Sequence, residues 1–237
     1  MGQTGTRVPK QRLKTLIRVA RVGCAIFVTI AANALWGDES RLDFTKILAN
    51  LSTQYGPEAQ ARGIAWQDKL TALDARTVQE QLSVINQFFN QRVQWEDDIK
   101  IYGIKDFWAT PSETLGRGSG DCEDFTIAKY ASLRYLGVPA EQLRLTYVQL
   151  KVASERTEAH MVLAWYPEPN STPLILDNYN PRILPASERK DLEPVFSFNG
   201  SELWLGNSRA STTATPSARI SQWRQMIARA QQEGILL

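Results

Sequence analysis

The chain has 237 residues, 43% hydrophobic and 22% charged, with 27 basic against 25 acidic side chains. That composition suits a globular protein with one well-buried core, and it shows no basic clustering of the kind that marks a nucleic-acid surface. Two cysteines and one histidine are too few soft ligands for a zinc centre.

Six of the basic residues, Arg7, Lys10, Arg12, Lys14, Arg18 and Arg21, precede an apolar stretch from Val22 to Ala32 that ends in Ala32-Asn33-Ala34. A basic start, a short apolar core and an A-x-A site predict a secretory signal peptide over residues 1–34, with an uncleaved N-terminal anchor as the alternative. The apolar run is short for a bilayer span. Loss of this segment would leave 21 basic against 25 acidic residues, a formal charge of −4, and Cys122 as the single thiol. An unpaired thiol in an oxidising compartment is a liability unless it is used.

The remaining residues, 35–237, read as a single domain. Phe44, Ile47, Leu48, Leu51 and Tyr55 recur at helical spacing and stop at Gly56-Pro57. Thr77-Val78-Gln79-Glu80 has the form of a capping box, followed by the stripe Val78, Leu82, Ile85, Phe89 and Val93. Trp66 and Trp95 are expected in the core. From Cys122 a further helix carries Phe125, Ala128, Ser132 and Tyr135-Leu136 on one face, widened by Ile127 and Ala131, and ends at Gly137 and Pro139. Strands are expected over 143–152, 161–166 and 174–179, with shorter ones at 195–198 and 203–205. Residues 206–217 read as a loop, and Ile220, Trp223, Ile227 and Ala230 mark a last helix over 217–233. Helices over 40–136 followed by strands over 143–205 give an α+β order, a helical lobe packed on an antiparallel sheet.

Three positions carry the chemistry. Cys122 lies in Gly118-Ser119-Gly120-Asp121-Cys122-Glu123-Asp124, a glycine-rich loop running into a helix. A helix N-terminus favours the thiolate, and the Cys122 amide is a candidate oxyanion donor. Asp121, Glu123 and Asp124 pull the other way by like-charge repulsion. Two readings of these acids stay open: they cap the helix, or they hold a hard divalent cation such as calcium. His160 opens the apolar run to Tyr166, and Asp177 follows in Leu174-Ile175-Leu176-Asp177-Asn178. A hairpin centred between Glu168 and Pro169 would set His160 directly opposite Asp177, where a carboxylate could fix the imidazole tautomer. Cys, His and Asp in this order suit a thiol nucleophile, its base and an orienting carboxylate. An acyl transferase or amidase would use the same triad. Trp108 is expected either to line the cleft or to join the core.

Gly120-Asp121-Cys122-Glu123-Asp124-Phe125, Ala128-Lys129-Tyr130, Leu136-Gly137-Val138-Pro139, His160-Met161-Val162-Leu163, Leu176-Asp177-Asn178 and the segment from Asp191 to Asn199 together resemble the bacterial transglutaminase-like cysteine proteinases, notably their LapG-type periplasmic members. The resemblance covers about residues 40 to 205. It implies a papain-like core of the transglutaminase type, with Cys122 as nucleophile, His160 as base then acid, and Asp177 as orienting acid. It also implies calcium at Asp121 and Glu123, with Asp124 a further candidate. The implied activity is calcium-dependent periplasmic cleavage of a large surface adhesin near its N-terminus, which releases it and disperses biofilm. The implied regulator is an inner-membrane cyclic-di-GMP receptor that sequesters the protease.

Overall fold

The structure is a computed structural model that describes residues 1–2, 41–152, 156–206, 208, 210–212 and 216–237. The expected signal peptide lies outside the described residues. Ser40–Leu237 forms one compact unit.

In chain order the elements are β1 (Arg41–Leu42), α1 (Phe44–Tyr55), α2 (Pro57–Leu73), α3 (Val78–Arg92), β2 (Gln94–Trp95), α4 (Asp98–Ile101), α5 (Pro111–Arg117), β3 (Ser119–Gly120), α6 (Cys122–Tyr135), β4 (Leu143–Lys151), β5 (Thr157–Trp165), β6 (Leu174–Leu176), β7 (Leu184–Pro185), β8 (Leu192–Phe198), β9 (Leu203–Leu205), α7 (Pro216–Arg219), α8 (Ser221–Glu233) and β10 (Ile235–Leu236). The expected α+β order is present. Among the described residues, no helix is long and apolar enough to cross a membrane.

The helical lobe forms for local reasons. Asp43 accepts from the Lys46 N–H to cap α1, and Gly56 ends that helix at positive φ. Thr77 and Glu80 close the expected capping box of α3. Trp66 is the centre of the lobe. Its ring meets Phe44 edge-on at 5.2 Å and Phe89 at 6.4 Å, and its Nε1–H donates to Ser132 Oγ at 2.9 Å. That bond satisfies a polar atom that burial would otherwise strand.

Helix α6 departs from the one-faced pattern expected of it. Every residue from Asp124 to Leu133 is buried, because the helix is enclosed between the helical lobe and the sheet. A helix covered on all sides needs no polar face. Trp95 also departs from expectation. It is 55% exposed, at the end of a two-residue strand, rather than in the core.

The main sheet is antiparallel with strand order β7-β6-β5-β4-β8-β9. Strands β4 and β5 pair over nine positions, from Leu143 opposite Trp165 to Lys151 opposite Thr157. Leu145, Met161, Leu163 and Trp165 join the core shared with α6, whereas Val148, Val162, Ala164 and Ile175 form a separate small cluster. The β5–β6 hairpin is centred between Pro169 and Asn170, with Leu163 opposite Leu176. This is one residue beyond the expected centre, so each partner moves by two. The side-chain face is preserved and the direct opposition of His160 and Asp177 is lost. The expected C-terminal helix is broken at Ile220 into α7 and α8.

Candidate active site

Two glycines shape the approach to Cys122. Gly118 follows α5 in the left-handed region at φ 71°, and Arg62 donates to the carbonyls of Leu115 and Gly116 just before it. At Gly120 a Cβ would lie 2.6 Å from Asp124 Oδ2, so only glycine lets the backbone pass that carboxylate. The loop is held by parallel pairing of β2 with β3, in which the Gln94 and Glu96 N–H groups donate to Gly118 and Gly120 carbonyls.

That pairing brings a residue that local patterning did not mark. Asp98, at the start of α4, is buried against the nucleophile loop and accepts from the Phe107 N–H at 2.5 Å through Oδ2. Carboxylate oxygens of Asp98, Asp121 and Asp124 lie within 4.8 Å of one another, and so do those of Asp98, Asp106 and Glu123. Burial pushes Asp98 up to about 6, and burial together with Glu123 and Asp124 pushes Asp121 far above the carboxylate range. Asp98 Oδ1 and Asp121 Oδ1 are buried without a hydrogen-bond partner. Buried carboxylate oxygens left bare in a like-charged group fit a hard divalent cation.

The three acids expected from the sequence divide between two tasks. Asp124 serves the backbone, accepting from Ala109 N–H at 2.7 Å and from Asp121 N–H at 3.3 Å. Asp121 and Glu123 are the ones left with oxygens to give. Asp106, a further member, is held by the Trp108 indole at 2.9 Å and by Gln222 of α8 at 2.7 Å.

Cys122 is the first residue of α6, and its Sγ–H donates to Glu123 Oε2 at 3.0 Å. Burial, then Glu123 and Asp121, push the thiol well above its ordinary range. Thr126 ties α6 to β5, its hydroxyl lying 2.8 Å from the Cys122 carbonyl and 3.1 Å from that of Met161.

His160 and Asp177 meet despite the shifted register. Extending the ladder would set Tyr179 opposite His160, and Asp177 reaches the imidazole on the diagonal. His160 Nε2 lies 2.8 Å from Asp177 Oδ1, which also accepts from the Tyr179 N–H at 2.9 Å. Arg189 Nη2 donates to Asp177 Oδ2 at 2.8 Å while its Nε and Nη2 hold Asp191. Burial alone would raise Asp177. The hydrogen bond and charge of His160, the Tyr179 amide and Arg189 outweigh it and hold the carboxyl down at about 2. Neither Arg189 nor the Asn90 amide that donates to the Asp177 carbonyl was marked in the sequence.

Cys122 and His160 line one cleft of about 1080 Å³, with Trp108, Tyr147, Tyr179 and Phe196 among its walls. Trp108 fulfils both expectations, since it is buried and also lines the cleft. Tyr147 stacks on Phe196 at 5.2 Å.

The model of the bacterial transglutaminase-like cysteine proteinases matches residues 55–190. Among solved structures, EGTA-treated LapG of Legionella pneumophila is 39% identical, with a TM-score of 0.70 over 80% of this chain and 98% of that one. Calcium-bound LapG from the same organism is 40% identical, with a TM-score of 0.67 over 78% of this chain and 98% of that one. No curated protein matches. The chain belongs to the bacterial transglutaminase-like cysteine proteinases.

Proposed function

We propose that the protein is a calcium-dependent cysteine endopeptidase in which Cys122, His160 and Asp177 act as nucleophile, base and orienting acid. The observation that carries this reading is the shared cleft, with Cys122 at a helix N-terminus and His160 already bonded to Asp177 at 2.8 Å. Asp177 occupies Nε2, which leaves Nδ1 to take the thiol proton. The thiolate adds to a peptide carbonyl, and the Cys122 amide is the candidate donor to the oxyanion. Collapse breaks the C–N bond, with His160 returning the proton to the departing amine. Water, deprotonated by His160, then hydrolyses the thioester.

Calcium comes to this reading from the solved relative and from the bare carboxylate oxygens of Asp98 and Asp121. Asp98, Asp106, Asp121 and Glu123 would hold it, with Asp124 supporting the loop. It would supply the positive charge that offsets Asp121 and Glu123, the two carboxylates that raise the thiol most.

The substrate is a large surface adhesin cut near its N-terminus, so that cleavage releases it and disperses biofilm. The compartment is the periplasm, reached through the basic and apolar segment over residues 1–34. A cyclic-di-GMP receptor of the inner membrane sequesters the enzyme. These three statements rest on the family resemblance and on the sequence of the first 34 residues.

The test is cleavage of the N-terminal segment of the host's own adhesin in calcium and in excess EGTA, with Cys122→Ala as control. Cutting in calcium that stops with EGTA and in the variant is expected. Cutting that ignores EGTA removes the metal from the mechanism. An amine-exchanged product in place of a hydrolysed one would make the chain an acyl transferase.

A further inference from the structure

We infer that the C-terminal helix α8 sets the calcium affinity of the proposed cation site, by gripping residues 106–110 through Gln222, Arg229 and Glu233, an inference that rests on the cation reading above.

Residues 106–110 are where the acids get their orientation. Asp106 is itself a candidate ligand, with a carboxylate oxygen within 4.8 Å of those of Asp98 and Glu123. The Phe107 N–H donates to Asp98 at 2.5 Å, and the Ala109 N–H donates to Asp124 at 2.7 Å. Between them, the Trp108 indole N–H donates to Asp106 Oδ1 at 2.9 Å. Three successive residues thus orient three acids. The stretch lies between α4 and α5 and belongs to no helix or strand. Its position therefore comes from what grips it.

Helix α8 supplies the grip. Trp223, Met226 and Ala230 are buried and seat the helix on the core, with the Trp223 ring edge-on to Phe198 at 5.2 Å. Beside that apolar stripe runs a polar one, Gln222, Arg229 and Glu233, at positions i, i+7 and i+11. Gln222 Nε2–H donates to Asp106 Oδ2 at 2.7 Å. Arg229 Nη2–H donates to the Trp108 carbonyl at 2.5 Å and its Nε–H to Glu113 Oε1 at 3.0 Å, and its guanidinium lies 4.3 Å from the Phe107 ring centroid. Glu233 Oε2 accepts from the Thr110 hydroxyl at 2.5 Å. The apolar stripe already docks the helix, so these polar contacts act on the segment. Each Asp106 oxygen accepts one hydrogen bond and keeps a lone pair for a cation. Donors that orient a metal's ligands typically carry about 10–100-fold in metal affinity.

The test is calorimetric titration of calcium into the protein and its variants, with melting curves in calcium and in EGTA beside it. Gln222→Leu removes one hydrogen bond to Asp106 and is expected to weaken calcium binding about tenfold or more, with a smaller calcium-dependent rise in melting temperature. Arg229→Met touches none of the acids and is expected to weaken binding as well, through Phe107 and Trp108. Gln231→Ala, at an exposed position of the same helix, is expected to bind calcium as the unaltered protein does. Should Arg229→Met fail to fold, Gln222→Leu decides alone. Binding by Gln222→Leu within twofold of the unaltered protein overturns the role of α8. An equal loss in Gln231→Ala also overturns it, because the stability of the helix would then be the cause. An unaltered protein that takes up no calcium overturns the cation reading, and the role of α8 with it.

Discussion

The charged groups around His160 and those around Asp121 are built on opposite rules. His160, Asp177, Arg189 and Asp191 form a run in which each acid meets a base, with contacts of 2.7–2.8 Å. Asp98, Asp121, Glu123 and Asp124 share one sign, and among the described residues no basic side chain is bonded to any of them. The first group is electrostatically complete in the protein alone. In the proposed function the second would be completed by a cation. On that proposal, a site that finishes one half and leaves the other for a metal would separate its assembly from its activation.

The largest expected effect breaks the complete half. Asp177→Asn keeps the shape but can present an N–H where His160 needs an acceptor, so the imidazole loses its tautomer. Cleavage is expected to fall about 10⁴-fold with little change in fold. An activity within tenfold of the unaltered protein would remove Asp177 from the mechanism.

The next effect reverses sign between the two states of the unfinished half. Asp98→Asn removes a buried acid from the like-charged group while an amide oxygen can still accept from the Phe107 N–H. Without metal, the variant is expected to melt higher than the unaltered protein near neutral pH, by about 2–4 °C for each kcal/mol recovered. In calcium the order is expected to invert, because a ligand has been lost. Melting curves in calcium and in EGTA decide it, and an unchanged calcium shift would take Asp98 out of the cation site.

Legibility in the sequence followed the same division between local and distant causes. The α1 and α3 stripes, the Thr77 capping box and the glycine loop before Cys122 are set by residues within a few positions, and they stood where expected. The His160–Asp177 contact was foreseen with a wrong register, because a shift of two keeps the face. Asp98 and Arg189 were invisible, since they reach the site through a two-residue parallel pairing and a turn that no periodicity encodes. The run Glu96-Asp97-Asp98 was the one available hint of Asp98. Trp95 was misjudged because aromatic character suggests burial, whereas its strand is too short to be covered on both sides.

A third effect sharpens the comparison from outside both clusters. Lys129, two turns along α6 from Cys122, is wholly buried, its Nζ 5.7 Å from the Phe125 ring centroid, and none of the hydrogen bonds or ion pairs described above reaches it. Burial lowers it to about 7, against the attraction of Asp177. A lysine depressed in the folded state binds more protons when unfolded, so between about 7 and its ordinary 10.5 stability rises with pH. Lys129→Met removes that dependence. The variant is expected to be more stable than the unaltered protein at pH 6, by about 1.4 kcal/mol for each tenfold loss of proton affinity that burial imposes on the amine, with the advantage closing as pH approaches 10. Urea unfolding at several pH values reads this directly. A constant difference across that range would mean that Lys129 keeps its charge in the folded protein, and Asp177 would then be its counter-ion as well as that of His160 and Arg189.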